Sequence, residues 1–145
     1  QPDIPQNTGN IGRICLGFQL HLHLIHPLGF QTSEKALRRA GLDYWPQVIV
    51  SEHQNHEDFW GYIQTPNLQP ILFTTKTKHP FTKCSYSNQT VLIFGPESRG
   101  LPTDLFNHHQ TATIPMFGNI RSFNLANSVA IACAHGMQQI HPQSY

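Results

Sequence analysis

Short, unbroken apolar runs alternate along this chain with stretches in which apolar residues recur at helical spacing. Ile11, Ile14, Cys15 and Phe18 follow the helical period, which predicts a helix following Gly9. Residues 20–25 read as a strand closed by Pro27 and Gly29. Residues 33–40 read as a short basic helix ended by Gly41. A strand is expected at 48–50, a helix at 57–64 and a short strand at 71–73. Residues 91–94 are apolar throughout and stop at Gly95-Pro96, which predicts a buried strand. A helical turn is expected at 103–106 and a strand at 112–114. The longest periodic stretch is 124–139, with Leu125, Val129, Ala132, Cys133, Gly136 and Ile140 along one face.

Apolar strands alternating with helices predict an α/β fold: a mainly parallel sheet flanked by helices. In such sheets ligands bind beyond the carboxyl ends of the strands. That rule selects residues 74–76, 95–97 and 115–118, each following a predicted strand, and places them on one edge. There is no internal repeat and no low-complexity linker, and 145 residues fit a single domain, 1–145.

Composition narrows the function classes. Hydrophobic residues make up 39% of the chain and charged residues only 12%, about half the usual charged share. Either a second copy covers part of the surface, or Gln, Asn, Thr and His replace charge on it. The net charge of +1 provides no global field toward nucleic acid, so any RNA-binding charge is local. Cys15, Cys84 and Cys133 form no paired spacing, which points to a reduced, cytoplasmic setting. No apolar run reaches the roughly 18 residues a membrane span needs, and no signal peptide is visible, so no membrane partner is expected.

Three segments concentrate chemistry. In Phe94-Gly95-Pro96-Glu97-Ser98-Arg99-Gly100-Leu101, two glycines and a proline form a rigid turn that brings backbone close to a ligand, beside an acid and a base. The bland reading is a loop with an exposed ion pair. In Ile114-Pro115-Met116-Phe117-Gly118-Asn119-Ile120-Arg121-Ser122-Phe123-Asn124-Leu125-Ala126-Asn127, Met116 and Phe117 are apolar loop residues able to wall a pocket. Ser122 and Asn124 stand where they cap the last helix, whose N-terminal N–H groups could also face a ligand. In Asn7-Thr8-Gly9-Asn10-Ile11-Gly12-Arg13, Asn7 or Thr8 could cap the first helix, and Arg13 falls in its first turns, at its plainest a solvated cation. No G-x-G-x-x-G spacing occurs, which argues against an ordinary dinucleotide site.

In order and spacing, these three segments closely resemble the three motifs of the SPOUT methyltransferases. Leu37-Arg38-Arg39-Ala40-Gly41-Leu42-Asp43-Tyr44 and Thr74-Thr75-Lys76 resemble the TrmL-type branch, the tRNA (cytidine/uridine-2′-O-)-methyltransferases. The likeness covers nearly the whole chain. It implies a C-terminal trefoil knot, which periodicity alone would never suggest. It implies S-adenosylmethionine as cofactor, with S-adenosylhomocysteine as product, and a homodimer in which one chain's first motif faces the other's cofactor. The implied substrate is the ribose 2′-hydroxyl of the wobble nucleotide in leucine tRNAs. Carried over by position, Phe73, Gly95, Ile114 and Ser122 are the expected cofactor contacts, and Met116 and Leu125 are expected beside them. Arg13, Asn7, Glu97, Ser122 and Asn124 are the expected catalytic set. An arginine stays protonated and makes a poor base, so Arg13 is read as positioning the ribose and stabilising the developing alkoxide. RNA contacts are expected from Arg13, Lys35, Arg38, Arg39 and Lys76, with Lys78 and Lys83 nearby; a solvated loop is the plainer reading of these lysines.

The sequence departs from the family at several points. The family normally has a strand before Pro5; the sequence starts at Gln1, not at a Met, and that strand is expected to precede it in the protein. Gly17-Phe18-Gln19 replaces the usual Asn-Thr-Gly turn after the first helix, Ala134 stands where close relatives carry a tyrosine, and Phe73 is larger than the expected aliphatic residue. His21 and His23 alternate on one strand face near His26, but no metal-ligand spacing completes a set. No metal is expected, and these histidines read as polar surface. Two rival functions stand beside tRNA wobble methylation. One is 2′-O-methylation of ribosomal RNA or another tRNA position. The other is a non-catalytic RNA- or nucleotide-binding module.

Overall fold

The computed structural model describes residues 1–30, 43–64 and 67–144. By backbone contacts the chain divides into two compact units, Gln1–Tyr62 and Ile63–Tyr145.

The first unit opens with helix α1, Pro5–Gly17. The helix therefore starts four residues before Gly9, earlier than the apolar period indicated. Pro5 sits at its first position, where the missing N–H costs nothing and φ is already helical. Ile4 is the N-cap, and no side chain caps the helix, so neither Asn7 nor Thr8 serves in that role. The turn after α1 is completed by Gln19, which takes a left-handed φ of 55°. Strands β1 (Leu22–Ile25) and β2 (Val50–His53) pair in parallel, with Leu22 opposite Val50 and Ile25 opposite His53. Alternation along β1 divides its side chains between two faces. Leu22 and Leu24 join Cys15 of α1 and Val48 in a buried cluster, with Ile11, Tyr44 and Trp45 at its margin. His23 points the other way, onto Phe59 and Tyr62 of helix α2, His56–Ile63.

In the second unit, β3 (Gln69–Phe73) lies between β4 (Thr90–Phe94) and β5 (Gln110–Ala112), all parallel. Phe73 stands opposite both Phe94 and Ala112. The three strands therefore end level, and the segments that follow them leave from one edge, as the strand pattern predicted. Central β3 is the most buried, with Leu72 fully enclosed and Ile71 at 1% exposure. β5 ends at Ala112, and Thr113 makes only an isolated parallel bridge to Pro80, so the strand expected at 112–114 lies about two residues earlier. The long helix α3, Leu125–Ile140, supplies Ala132 to a core formed with Ile71, Phe73, Phe81, Cys84 and Ala112. Tyr86 fastens the segment before β4 to this helix. Its ring lies where a Cβ on Gly136 would come within 3.1 Å, its hydroxyl donates to the Phe81 carbonyl at 2.9 Å, and its backbone N–H donates to Gln139 Oε1 at 3.3 Å.

Among the described residues no helix is long and apolar enough to cross a membrane.

Candidate active site

Gly95 to Leu101 form a loop folded onto itself. A Cβ at Gly95 would meet the Gly100 carbonyl carbon at 2.2 Å and the Leu101 nitrogen at 2.4 Å, so only glycine fits. The Gly100 N–H donates to the Pro96 carbonyl at 2.9 Å, and Gly100 takes a φ of 70°. Pro96 and Leu101 are buried, Glu97 is half-buried, and Ser98 and Arg99 are exposed. The tight turn their spacing suggested is present: the glycines bring two stretches of backbone together at the strand end.

Residues beyond β5 behave differently. Ile114 and Met116 are half-buried, whereas Phe117 is fully exposed and Ile120 is 52% exposed. Asn124 caps α3, its side chain accepting from Ala126 N at 2.9 Å and Asn127 N at 3.3 Å. Ser122 is exposed and stands outside the helix, so of the two expected caps only Asn124 acts as one. Leu125, the first helical residue, is half-buried. Phe73 is 7% exposed and its ring stacks on Phe94, with centroids 4.7 Å apart. Its side chain is therefore part of the core, and only its backbone is available at the strand end. The Thr74-Thr75-Lys76 turn is closed by Thr74 Oγ1, which accepts from the Lys76 N–H at 3.2 Å, and Lys76 is exposed.

The second unit thus gathers Phe73, Gly95, Ile114, Met116, Ser122 and Leu125 on segments leaving one sheet edge or entering α3. None of the six is charged. Peptide groups and half-buried aliphatic side chains suit a nucleoside, whose base edge takes hydrogen bonds and whose ring takes apolar walls. The residue chemistry fits the adenosyl group of S-adenosylmethionine.

Arg13 belongs to the first unit. It is exposed on α1, and its guanidinium carbon lies 4.5 Å from the centroid of the Tyr44 ring. Tyr44 donates its hydroxyl to the Gly9 carbonyl at 2.8 Å. Asn7 is buried at 5% exposure and, six residues earlier on the helix, shares no face with Arg13. Thr8 is buried at 1%, and among the described residues its hydroxyl alone is fully enclosed without a hydrogen-bond partner. Lys35, Arg38 and Arg39 lie outside the described residues.

Sequence reading treated the β1 histidines as surface, and the structure corrects this for His23. His53 is 6% exposed, and its Nε2 lies 2.9 Å from Nδ1 of half-buried His23. Burial, reinforced by the charges of His21 and His53, holds His23 down at about 4. His53 is flanked on its other side by Asp58 at 3.7 Å. The missed signal was register: Ile25 opposite His53 places residue 23 and residue 53 on one face. Among the described residues no group of three or more His, Cys, Asp or Glu side chains is disposed to hold a metal ion.

Residues 1–134 match the SpoU rRNA Methylase family. This chain belongs to that family. Among its SpoU-family relatives, the tRNA (cytidine(34)-2′-O)-methyltransferase of Escherichia coli K12 is 38% identical over 144 residues, covering 97% of this chain and 90% of that protein. The enzyme of the same name from Yersinia pestis is 39% identical over 146 residues, with the same coverages. A solved structure concerned with the 2-OH methylation of C/U34 on tRNA superposes with a TM-score of 0.89 at 39% identity, covering 96% of this chain and 91% of that one. A SpoU methyltransferase from Streptomyces viridochromogenes in complex with AdoMet shares the fold at a TM-score of 0.80 and 18% identity. The parallel α/β architecture and the family resemblance read from the three motifs both hold.

Proposed function

We infer that this SpoU-family chain uses S-adenosylmethionine to methylate the ribose 2′-hydroxyl of the wobble nucleotide, cytidine or uridine, in tRNA, with leucine tRNAs as the substrates. The observation that carries this reading is the near full-length similarity to enzymes named for that reaction at position 34. The cofactor supplies an electrophilic methyl group. Phe73 and Gly95 backbone, with Ile114, Met116 and Leu125 side chains, would hold its nucleoside. Glu97 and Asn124 shape the loop and helix start around that nucleoside, with Ser122 exposed just ahead of the helix, and Asn7 supports the first motif from within the core. Arg13 orients the ribose and offsets charge as the hydroxyl oxygen takes the methyl group and gives its proton to solvent, a role suited to a permanent cation. Lys76 adds phosphate contact, together with Lys35, Arg38 and Arg39.

Tritiated methyl transfer to purified leucine tRNA, followed by nucleoside mapping, tests the reading. A 2′-O-methylated wobble nucleotide is expected. Methylation elsewhere, or of ribosomal RNA alone, would instead favour the second SpoU-type activity that the family description raises. Cofactor binding without transfer to any RNA would leave a non-catalytic module. Arg13→Ala should keep cofactor affinity and lose at least about 100-fold in transfer; unaltered turnover would remove Arg13 from the mechanism.

We further propose that the chain works in the cytoplasm as a homodimer with its C-terminal part threaded as a trefoil knot. The sparse charge and the exposed apolar residues Phe117, Ile120 and Phe123 support covering by a second copy. Sedimentation equilibrium should give twice the 16.4 kDa chain mass, and a monomer at working concentration would overturn the dimer.

A further inference from the structure

The contact between Arg13 and Tyr44 joins two features that sequence reading left separate: the arginine of the first motif and the Asp43-Tyr44 end of the branch signature. We propose that Tyr44 is a positioning residue for Arg13, a platform that sets where the guanidinium presents its N–H groups to the RNA. This rests on the catalytic reading of Arg13 given above.

Helix geometry explains why one tyrosine is able to do this. Gly12 and Arg13 lie three and four residues beyond Gly9, so all three line one stripe of α1. The turn carrying Tyr44 and Trp45 packs along that stripe. Gly9 offers its carbonyl, whose second lone pair takes the Tyr44 hydroxyl at 2.8 Å. Gly12 offers space: a Cβ there would come within 2.5 Å of the Trp45 ring, so the indole can lie against the helix only because the residue is glycine. With its hydroxyl tied one helical turn before Arg13 and its neighbour seated at Gly12, the Tyr44 ring has little freedom. It lies beneath the guanidinium, 4.5 Å from centroid to carbon.

An exposed arginine on a bare helix samples many rotamers. A cation held over an aromatic face keeps its planar N–H fork at the rim, open to phosphate or ribose oxygens. Among the described residues Arg13 meets no carboxylate that would occupy that fork. The ring restrains the arginine without neutralising it or spending its donors.

The full-length protein with leucine tRNA provides the test. Tyr44→Leu is expected to lower kcat about 10-fold with KM for S-adenosylmethionine unchanged, since only the ribose-side geometry is loosened. Tyr44→Phe and Tyr44→Trp, which keep the ring, are expected to stay within about threefold of wild type. Tyr44→Leu should cost nothing further in an Arg13→Ala background. Relaxation of the Arg13 Nε–Hε group should show greater mobility in Tyr44→Leu and little change in Tyr44→Phe. Wild-type kcat in Tyr44→Leu alongside an inactive Arg13→Ala would overturn the platform and leave the arginine's role intact. Full activity in Arg13→Ala would overturn both. A Tyr44→Leu loss that the aromatic variants do not rescue, or that adds fully to Arg13→Ala, would assign Tyr44 to stability alone; so would a protein that fails to fold in Tyr44→Leu while Tyr44→Phe loses activity with Arg13 mobility unchanged.

Discussion

At the scale of single residues, burial decides roles that sequence spacing leaves open. His23 shows this most clearly. On β1 it alternates with leucines as a surface residue would, yet it lies against His53, Phe59 and Tyr62. Its folded value of about 4 is below the ordinary 6.5, so the folded chain holds it neutral where the unfolded chain would protonate it. Stability from this group is complete above pH 6.5 and drains away as pH falls toward 4. Because the ring is only half-buried, the loss is on the order of 1 kcal/mol after solvent screening. Thermal unfolding of wild type and His23→Gln across pH 7 to 4 should show the wild type losing more Tm; parallel curves would mean that His23 does not carry the dependence. Gly95 is a contrasting case, a residue whose requirement was legible in advance. Two glycines and a proline after an apolar strand announced a tight loop, and the structure adds that Gly100 and Leu101 occupy the space a side chain would need.

Local pattern reveals some elements and hides others, for physical reasons. Strands β3 and β4 and helix α3 declare themselves through continuous apolar runs or a sustained period. The start of α1 does not, because its opening turns present Asn7, Thr8 and Gly9, buried residues that are not apolar in sequence. Pro5 was the available sign. Asn124 was legible as a cap, since a short polar side chain ahead of a long period is a start signal. Asn124→Ala removes the acceptor for two backbone N–H groups and should cost about 1 kcal/mol, typical of a lost N-cap. Chemical denaturation checks this: a lower midpoint with the same slope is expected, and an unchanged midpoint would show that solvent makes up the cap.

For the whole molecule, charge is distributed by unit. The Ile63–Tyr145 unit holds Lys76, Lys78, Lys83, Arg99 and Arg121 against only Glu97 and Asp104, whereas acids outnumber bases in Gln1–Tyr62. A near-neutral chain thus concentrates its excess of basic residues in one unit. If Lys76 meets a phosphate, Lys76→Ala should weaken tRNA binding and flatten the salt dependence of log K by about 0.7 to 0.9. Affinity measured from 50 to 200 mM salt tests this, and an unchanged slope would exclude the contact.

The sequence by itself determined the α/β class, the family and the three motif segments. All of these rest on local patterns: apolar periods, glycine turns and the order of short motifs. Tertiary structure alone decided that Phe73 spends its ring on Phe94, that His23 and His53 share a face, and that Tyr44 lies beneath Arg13. Each of those facts joins residues about 20 to 30 positions apart through strand register or packing of a turn on a helix, and no local pattern encodes such distances.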